Sequence, residues 1–486
     1  MKKLKLIFAT LLSVLFAFTG GKALAYDITV ENGGNGTYES YQIFTGTLSE
    51  DGKTLSNIEW GNGITEAGQA ALQEKYSVNS AAELAEVLGA EDFTASQAEE
   101  FAKAAGQYLQ NAGGLTGLAA GYYLVQNASV GDNEAYTNYI LQVVNNVTVE
   151  PKTSVPSVVK KVQDTNDTTG ETSDWQDSAD YDVNDSVPFQ LTATLPDNID
   201  SYDHYYVEFS DTLSKGLTFN EITSVKVGDT TLTSDQYTVK TNTDSESGET
   251  ALSIVITDVK GVGATVTSST KVVVEYTATL NSNAVIGSEG NPNTVKLIYS
   301  NNPNNTGDGT SKPGDTGETP EDTVVVFTYK VVVNKVDQNG DALEGAGFTL
   351  YKKDSSGNWN AVGDEITGVT TFEFERIDDG DYKLSETTTP NGYNTIDDVE
   401  FTISASHSEE ADEPKLISLT GDVTSGTAEF TSSTTDGSLT TDVVNKKGSV
   451  LPSTGGMGTT ILYVVGTILV LAAGILLVTK KRMDAK

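Results

Sequence analysis

Apolar side chains recur at every second residue in short runs along much of the chain, and this alternation constrains the fold more than any other feature. Successive side chains of a strand point to opposite faces, so the alternation predicts sheets with one buried face. Between residues 153 and 302 no helical period competes with it, which predicts an antiparallel β-sandwich. The runs in this region are residues 189–194, 205–209, 252–256, 271–280 and 294–299.

The segments on either side of this middle domain differ from it in pattern. Residues 26–152 combine strands with a helical insertion, in which Ser80 and Thr94 each begin a capping-box pattern. Residues 303–322 are rich in Pro, Gly, Asp and Thr and predict a linker. Residues 323–446 predict a third, smaller β-domain. The expected class is therefore all-β, with tandem β-sandwich domains and a helical insertion in the first.

Both ends of the chain carry apolar segments that stand apart from these domains. Residues 1–25 have a lysine-rich start, an apolar stretch and a final Ala-Leu-Ala, which together predict a signal peptide that is cleaved before Tyr26. Residues 461–478 form an apolar run close to the ~20 residues that a helix needs to cross a bilayer. The basic residues 480–482 that follow are expected on the cytoplasmic side.

The composition excludes several classes of function. The chain has 68 acidic and 30 basic residues and a net charge of −38, which argues against nucleic acid or anionic lipid as a partner. It has no cysteine, so no disulfide staples its domains. His204 and His407 lie far apart without ligand-spaced neighbours, and the acidic turns 164–167 and 337–341 lack the EF-hand spacing. We therefore expect no metal site, no cofactor and no histidine-based catalytic triad.

The C-terminal apolar run is preceded by the pentapeptide Leu451-Pro452-Ser453-Thr454-Gly455. The order of pentapeptide, apolar span and basic tail resembles the cell-wall sorting signal of Gram-positive surface proteins, whose motif is Leu-Pro-x-Thr-Gly. The resemblance implies that residues 447–486 are a sorting signal, that a sortase cleaves it between Thr454 and Gly455, and that the span over 461–478 is only a transient membrane anchor. The protein is then secreted and attached to peptidoglycan at the cell wall.

The third domain opens with Asn334-Lys335-Val336-Asp337 and closes with Val443-Val444-Asn445, and it contains the pattern Tyr382-x-Leu384-x-Glu386-x-x-x-Pro390-x-Gly392-Tyr393. These motifs resemble those of the collagen-adhesin B-type, prealbumin-like domain of Gram-positive pilins, in which the last pattern is the E-box. The resemblance implies an intramolecular isopeptide bond between Lys335 and Asn445 that Glu386 promotes. The chemistry fits, because a buried lysine loses its proton and becomes a nucleophile. A neutral carboxylic acid can then move protons as ammonia leaves.

The middle domain carries a variant of the same pattern. Residues 158–164 parallel the Lys335 strand and place Lys161 at the matching position, while 209–217 resemble the family's second-domain motif, in which Asp211 replaces the glutamate. Asn301 would supply the carboxamide. Lys160 and Asn302 remain alternatives in register, because neighbouring residues of a strand point to opposite faces.

The first domain resembles the third in its strand order, but the reactive residues are missing. Gln126 stands where the acid belongs, and the opening strand, residues 26–31, contains no lysine. Although Asn145 matches Asn445 in position, an amide cannot replace the acid in proton transfer. We expect no isopeptide bond in this domain.

Residues 147–152 resemble the Val-x-Val-Tyr-Pro-Lys-Asn motif of backbone pilins, with Glu150 and Thr153 as departures. In that family the lysine, here Lys152, accepts the next subunit. The resemblance implies a structural major subunit, not an enzyme, in which a pilin-type (class C) sortase joins Thr454 of one copy to Lys152 of another. Its partners would be other copies, ancillary pilins, a housekeeping sortase, peptidoglycan and a host surface ligand. A single-copy wall-anchored adhesin and an ancillary pilin remain alternatives.

Overall fold

The computed structural model describes residues 25–31, 36–50, 52–90, 92–149, 154–448 and 457–483. They fold as β-rich domains in succession, followed by an apolar helix, so the predicted all-β class with a helical insertion is confirmed. Residues 1–24 of the predicted signal peptide, Lys152 and the pentapeptide 451–455 lie outside the described residues.

The first domain is built around an antiparallel sheet with the order β3-β2-β4-β5. A parallel pair, β1 and β6, covers one face of this sheet and supplies Ile28 and Val147 to the core there. Three helices cover the other face. The elements are β1 (Ile28–Val30), β2 (Thr37–Leu48), β3 (Leu55–Trp60), α1 (Glu66–Tyr76), α2 (Ala81–Leu88), α3 (Ala95–Gly106), β4 (Gly121–Ser129), β5 (Asn138–Val143) and β6 (Val147–Val149).

The helical insertion begins its helices where the sequence predicts. Thr94 and Gln97 form a capping box, in which each side chain binds the backbone N–H of the other residue. Ser80 accepts a hydrogen bond from the backbone N–H of Glu83 at the start of α2. The helices then bury Leu84 and Phe101 in one core with Phe44 of the sheet. The caps satisfy backbone donors that a helix start leaves without intrahelical partners.

The middle domain consists of two sheets packed face to face. One has the order β12-β11-β15-β9-β7, and the other has the order β13-β14-β10-β16-β18-β8, with β17 also paired to β16. The strands are β7 (Ser157–Val162), β8 (Ser178–Asp180), β9 (Ser186–Thr194), β10 (Val207–Leu213), β11 (Leu217–Val227), β12 (Thr230–Thr231), β13 (Thr238–Thr243), β14 (Thr250–Ile256), β15 (Lys271–Leu280), β16 (Asn291–Ser300), β17 (Thr316–Glu318) and β18 (Asp322–Phe327).

Strand β18 belongs to the middle sheet, although the sequence predicts a linker over 303–322 and assigns residues 323–446 to the third domain. Val324 and Val326 lie in the middle-domain core, whereas Val325 and Phe327 lie in the core of the third domain. Alternate residues of one strand therefore serve two cores. A run of alternating residues does not reveal where its hydrogen-bonding partners change, and that change falls at Thr328.

The third domain is a smaller two-sheet sandwich. Its sheets have the orders β23-β19-β28-β27 and β21-β20-β24-β25-β26, and β22 also pairs with β20. Strands β19 and β28, the first and last, are parallel neighbours. The strands are β19 (Tyr329–Asp337), β20 (Gly347–Lys353), β21 (Trp359–Ala361), β22 (Ile366–Thr367), β23 (Thr371–Ile377), β24 (Gly380–Thr388), β25 (Val399–His407), β26 (Leu416–Ser425), β27 (Thr431–Ser433) and β28 (Ser438–Asn445).

Helix α4 (Met457–Met483) follows the third domain and packs against none of the described residues. Its segment Leu462–Lys481 spans 20 residues with a mean hydropathy of 2.5, which is long and apolar enough to cross a membrane.

Candidate functional site

In the third domain, Lys335, Glu386 and Asn445 meet in the core. Lys335 and Asn445 are fully buried and Glu386 is 7% exposed. Lys335 lies on β19 opposite Val443 of β28, two residues before Asn445, so both side chains leave the same face of their sheet. Glu386 reaches them from β24 in the opposite sheet.

The contacts place the acid on the amide nitrogen. Asn445 Nδ2 donates a 2.8 Å hydrogen bond to Glu386 Oε1, and the backbone N–H of Ile396 donates to Glu386 Oε2 at 3.1 Å. Lys335 Nζ donates to the Val443 carbonyl at 2.8 Å. Asn445 Oδ1 is buried and accepts no hydrogen bond from the described residues. The nitrogen that would leave as ammonia therefore faces a proton carrier.

Burial favours the uncharged form of the Lys335 amine. Loss of solvation lowers the pKa of its amine from 10.5 to about 8, and the charge of Glu386 opposes this effect only in part. A useful fraction of the amine is thus uncharged near neutral pH, which nucleophilic attack requires.

The middle domain holds a second cluster of the same chemical type. Lys160 and Asn293 are fully buried and Asp211 is 1% exposed. Lys160 lies on β7 in one sheet, whereas Asp211 on β10 and Asn293 on β16 lie in the other. Lys160 Nζ is 2.6 and 2.7 Å from the two carboxylate oxygens of Asp211.

Tyr276 of β15 links the members of this second cluster. Its hydroxyl donates to Asp211 Oδ2 at 2.6 Å and accepts from Lys160 Nζ at 2.9 Å and from Asn293 Nδ2 at 2.7 Å. These contacts use the one donor and both acceptor positions of a phenol. The acid therefore reaches the asparagine through a tyrosine, whereas in the third domain it does so directly.

The electrostatics of the second cluster also follow from burial. Desolvation lowers the pKa of Lys160, and the charge of Asp211 opposes this shift. Desolvation and the same carboxylate raise the pKa of Tyr276 well above its ordinary value. The tyrosine consequently keeps its proton and remains a hydrogen-bond donor.

The structure does not bring the predicted pair Lys161 and Asn301 together. Lys161 points away from the core, and its Nζ is 2.7 Å from Asp177. Asn301 lies beyond the end of β16, where its carbonyl accepts a hydrogen bond from the backbone N–H of Tyr136 in the first domain. The alternative Asn302 binds Asp315 at 3.0 Å. Of the two lysines that the sequence offers, only Lys160 contacts Asp211.

Asn293 and Tyr276 are the residues that sequence reasoning missed. Asn293 is spaced by two residues from Val295 and by four from Leu297, which are fully buried on the same strand. The alternation itself could therefore have indicated that the Asn293 side chain faces the core. Lys160 likewise alternates with Val158 and Val162, which are buried on the same strand. This pattern is harder to recognise because the adjacent Val159 is also apolar.

In the first domain, Asn145 is exposed and Gln126 is half-buried. The absence of an isopeptide bond there stays a prediction.

Comparison with known families identifies the chain. Family models match residues 183–303 as a Gram-positive pilin backbone subunit 2, Cna-B-like domain, 329–414 as a prealbumin-like fold domain, and 443–485 as an LPXTG cell wall anchor motif. The chain belongs to the Gram-positive backbone pilins. This pilin is a structural protein of the cell surface, anchored to the cell wall through its LPXTG motif, and α4 is its transient membrane span.

Two relatives extend the comparison over most of the pilin. The trypsin-resistant surface T6 protein of Streptococcus pyogenes serotype M6 is 27% identical over 431 residues, which are 75% of each chain. The solved structure of the T6 backbone pilin of that serotype, described as modular and three-domain, superposes with a TM-score of 0.54 at 18% identity. It covers 89% of this chain and all of the other. At that identity the superposition supports the fold alone.

The lowered pKa of Lys335 predicts a pH-dependent stability when no bond can form. In an Asn445→Ala variant, the folded pKa of about 8 lies below the unfolded value of 10.5, so the unfolded chain binds more protons between them. The free energy of unfolding should therefore rise by roughly 3 kcal/mol as the pH increases from about 8, and it should level off above pH 10.5.

Denaturant unfolding measured across this pH range tests the prediction. The double variant Asn445→Ala, Lys335→Met is the control and should lack this rise. Equal slopes in the two variants would show that Lys335 titrates normally.

Proposed function

We propose that this pilin is the major subunit of a covalent, wall-anchored pilus for adhesion. A pilin-type (class C) sortase cleaves after Thr454 and transfers its carbonyl to Lys152 of another copy, and a housekeeping sortase attaches the last copy to peptidoglycan. Each copy also forms two internal isopeptide bonds, Lys335–Asn445 and Lys160–Asn293. The observation that carries the proposal is the buried contact between Glu386 and the carboxamide of Asn445 beside Lys335.

The third-domain reaction is a transamidation that needs no oxidant or cofactor. Glu386 takes a proton from the Lys335 ammonium, and the neutral amine attacks Cγ of Asn445. Protonated Glu386 then gives its proton to Nδ2 and takes the second proton from the attacking nitrogen, and the C–N bond to Nδ2 breaks as ammonia leaves. The products are one amide bond and one ammonia. Burial in an apolar core keeps water from competing for the acyl carbon.

The middle-domain reaction reaches the same products by a longer proton path. Asp211 removes a proton from the Lys160 ammonium, which it contacts directly. As the Lys160 amine attacks Cγ of Asn293, Tyr276 gives its hydroxyl proton to Nδ2 and takes one from Asp211. Asp211 then takes the second proton from the attacking nitrogen, and the bond between Cγ and Nδ2 breaks as ammonia leaves. The tyrosine is unchanged at the end, so it acts as a relay.

The two bonds would shorten the load-bearing path through a subunit. Tension enters a polymerised copy at Lys152 and leaves at Thr454. Lys160 follows the entry point by eight residues, and Asn445 precedes the exit by nine. The loops of 160–293 and 335–445 are then bypassed, so force need not unfold the sandwiches between those residues.

A Lys152→Ala variant should abolish covalent polymers while leaving the protein on the wall, because only the nucleophile between subunits is lost. Gel electrophoresis of wall extracts in hot SDS should show a high-mass ladder for the native protein and only low-mass species for the variant. Lys53→Ala is a control that should keep the ladder. A ladder that persists in Lys152→Ala would refute this lysine as the acceptor, and its absence from the native protein would favour a single-copy adhesin.

A Tyr276→Phe variant should slow the middle-domain bond by about a hundredfold, since general acid catalysis typically contributes that much or more. The mature chain, residues 26–454, should lose two ammonia molecules by intact mass, and freshly made variant should lose one and gain the second loss slowly. Tyr299→Phe is the matched control, because Tyr299 is fully buried in the same core and its hydroxyl has no partner among the described residues. A rapid second loss in Tyr276→Phe would rule out the relay.

A further inference from the structure

A second group of buried charged side chains lies where the middle domain meets the third. His407 at the end of β25 faces Asp164 and Asp180 of the middle domain, with its Nε2 3.5 Å from Asp164 Oδ2 and 4.0 Å from Asp180 Oδ1. One ligand atom from each of the three lies within 4.8 Å of the others. The side chains of His407 and Asp180 are 9% and 4% exposed.

The hydrogen bonds around His407 determine which ring nitrogen carries the proton when the ring is neutral. Ser178 Oγ donates its only proton to the Ser408 carbonyl at 2.5 Å, so it can only accept from His407 Nδ1–H, 2.7 Å away. The neutral imidazole therefore directs the lone pair of Nε2 at two carboxylates. Such an arrangement repels unless a cation lies between them.

Among the described residues, no lysine or arginine side chain forms an ion pair with Asp164 or Asp180. Lys352, the lysine buried at this domain junction, already contacts Asp167, Asp182 and Asp378.

An unused polar atom points to the same place. Asp180 Oδ2 is buried and has no hydrogen-bond partner among the described residues. This oxygen is thus available beside the three ligand atoms.

We propose that His407, Asp164 and Asp180 bind one divalent transition-metal ion of the zinc class between the two domains. One imidazole nitrogen with two carboxylates is a donor set that Zn²⁺ accepts, whereas Ca²⁺ prefers oxygen ligands throughout. Ser178 is the outer partner that holds the ring in place, as is usual for a metal-bound histidine. The ion balances the excess negative charge and joins the middle domain to the third.

Titration calorimetry of the mature chain, residues 26–454, tests this site after chelation of trace metals. Zn²⁺ is added in the presence of excess Ca²⁺, which occupies sites made only of carboxylates. We expect about one Zn²⁺ per chain. Binding should be at least about tenfold weaker in His407→Gln, because loss of a residue that only hydrogen-bonds a metal ligand already weakens binding by about that factor, and loss of the ligand itself should weaken it no less.

The chain offers a matched control in its other histidine. His204 Nδ1 lies 2.7 Å from Asp258 Oδ2 and is not part of this group, so His204→Gln should bind Zn²⁺ as the native chain does. If His407→Gln does not fold, Asp164→Asn replaces it, because Asp164 is more exposed than its partners, with 19% of its side chain accessible.

Two results would overturn the proposal. One is Zn²⁺ binding that is equal in the native chain and in the folded His407→Gln or Asp164→Asn variant. The other is a nitrogen NMR spectrum in which His407 keeps protons on both ring nitrogens at saturating Zn²⁺, since the cation between ring and carboxylates is then a proton.

Discussion

A lysine amine enclosed in an apolar core is the constraint on which the account of this pilin depends. A buried charge costs several kcal/mol unless it is compensated, and a lysine in such a site either loses its proton or keeps a carboxylate beside it. The third domain shows the first tendency at Lys335, whose pKa falls to about 8. The middle domain adds a direct carboxylate contact at Lys160. Conversion of the amine to an amide would remove the buried charge in both domains.

The two clusters use the sandwich in different ways. In the third domain the lysine and asparagine lie on neighbouring parallel strands, the first and last of the domain, and the acid comes from the facing sheet. In the middle domain the lysine comes from one sheet, and the acid and asparagine come from the other. A bond at Lys335 would thus join the first and last strands of the third domain, whereas a bond at Lys160 would join the two sheets of the middle domain.

The fold class could be predicted because it depends on local patterns, whereas the grouping of Lys335, Glu386 and Asn445 was implied by the resemblance of their motifs to a known family. Alternation defines the strands, and the E-box marks Glu386 in relation to Lys335 and Asn445. The middle-domain pair was harder to predict, since Lys160 and Lys161 are adjacent. Which of the two side chains faces the core depends on the strand register, and that register is set by pairing with other strands. Tyr276 and the group around His407 depend on contacts between residues distant in sequence, which no spacing rule reveals. The segment predicted as a linker, residues 303–322, contains β17, which pairs with β16, and β18 after it belongs to the middle sheet.

The most direct test of the internal bonds is peptide mapping of the mature chain by tandem mass spectrometry after proteolysis. The account predicts two branched peptides, one joining Lys335 to Asn445 and the other joining Lys160 to Asn293, each lighter than its linear parts by one ammonia. Recovery of these four residues in linear, unmodified peptides would contradict it. A branch from Lys161 or to Asn301 would contradict the register that the buried contacts indicate.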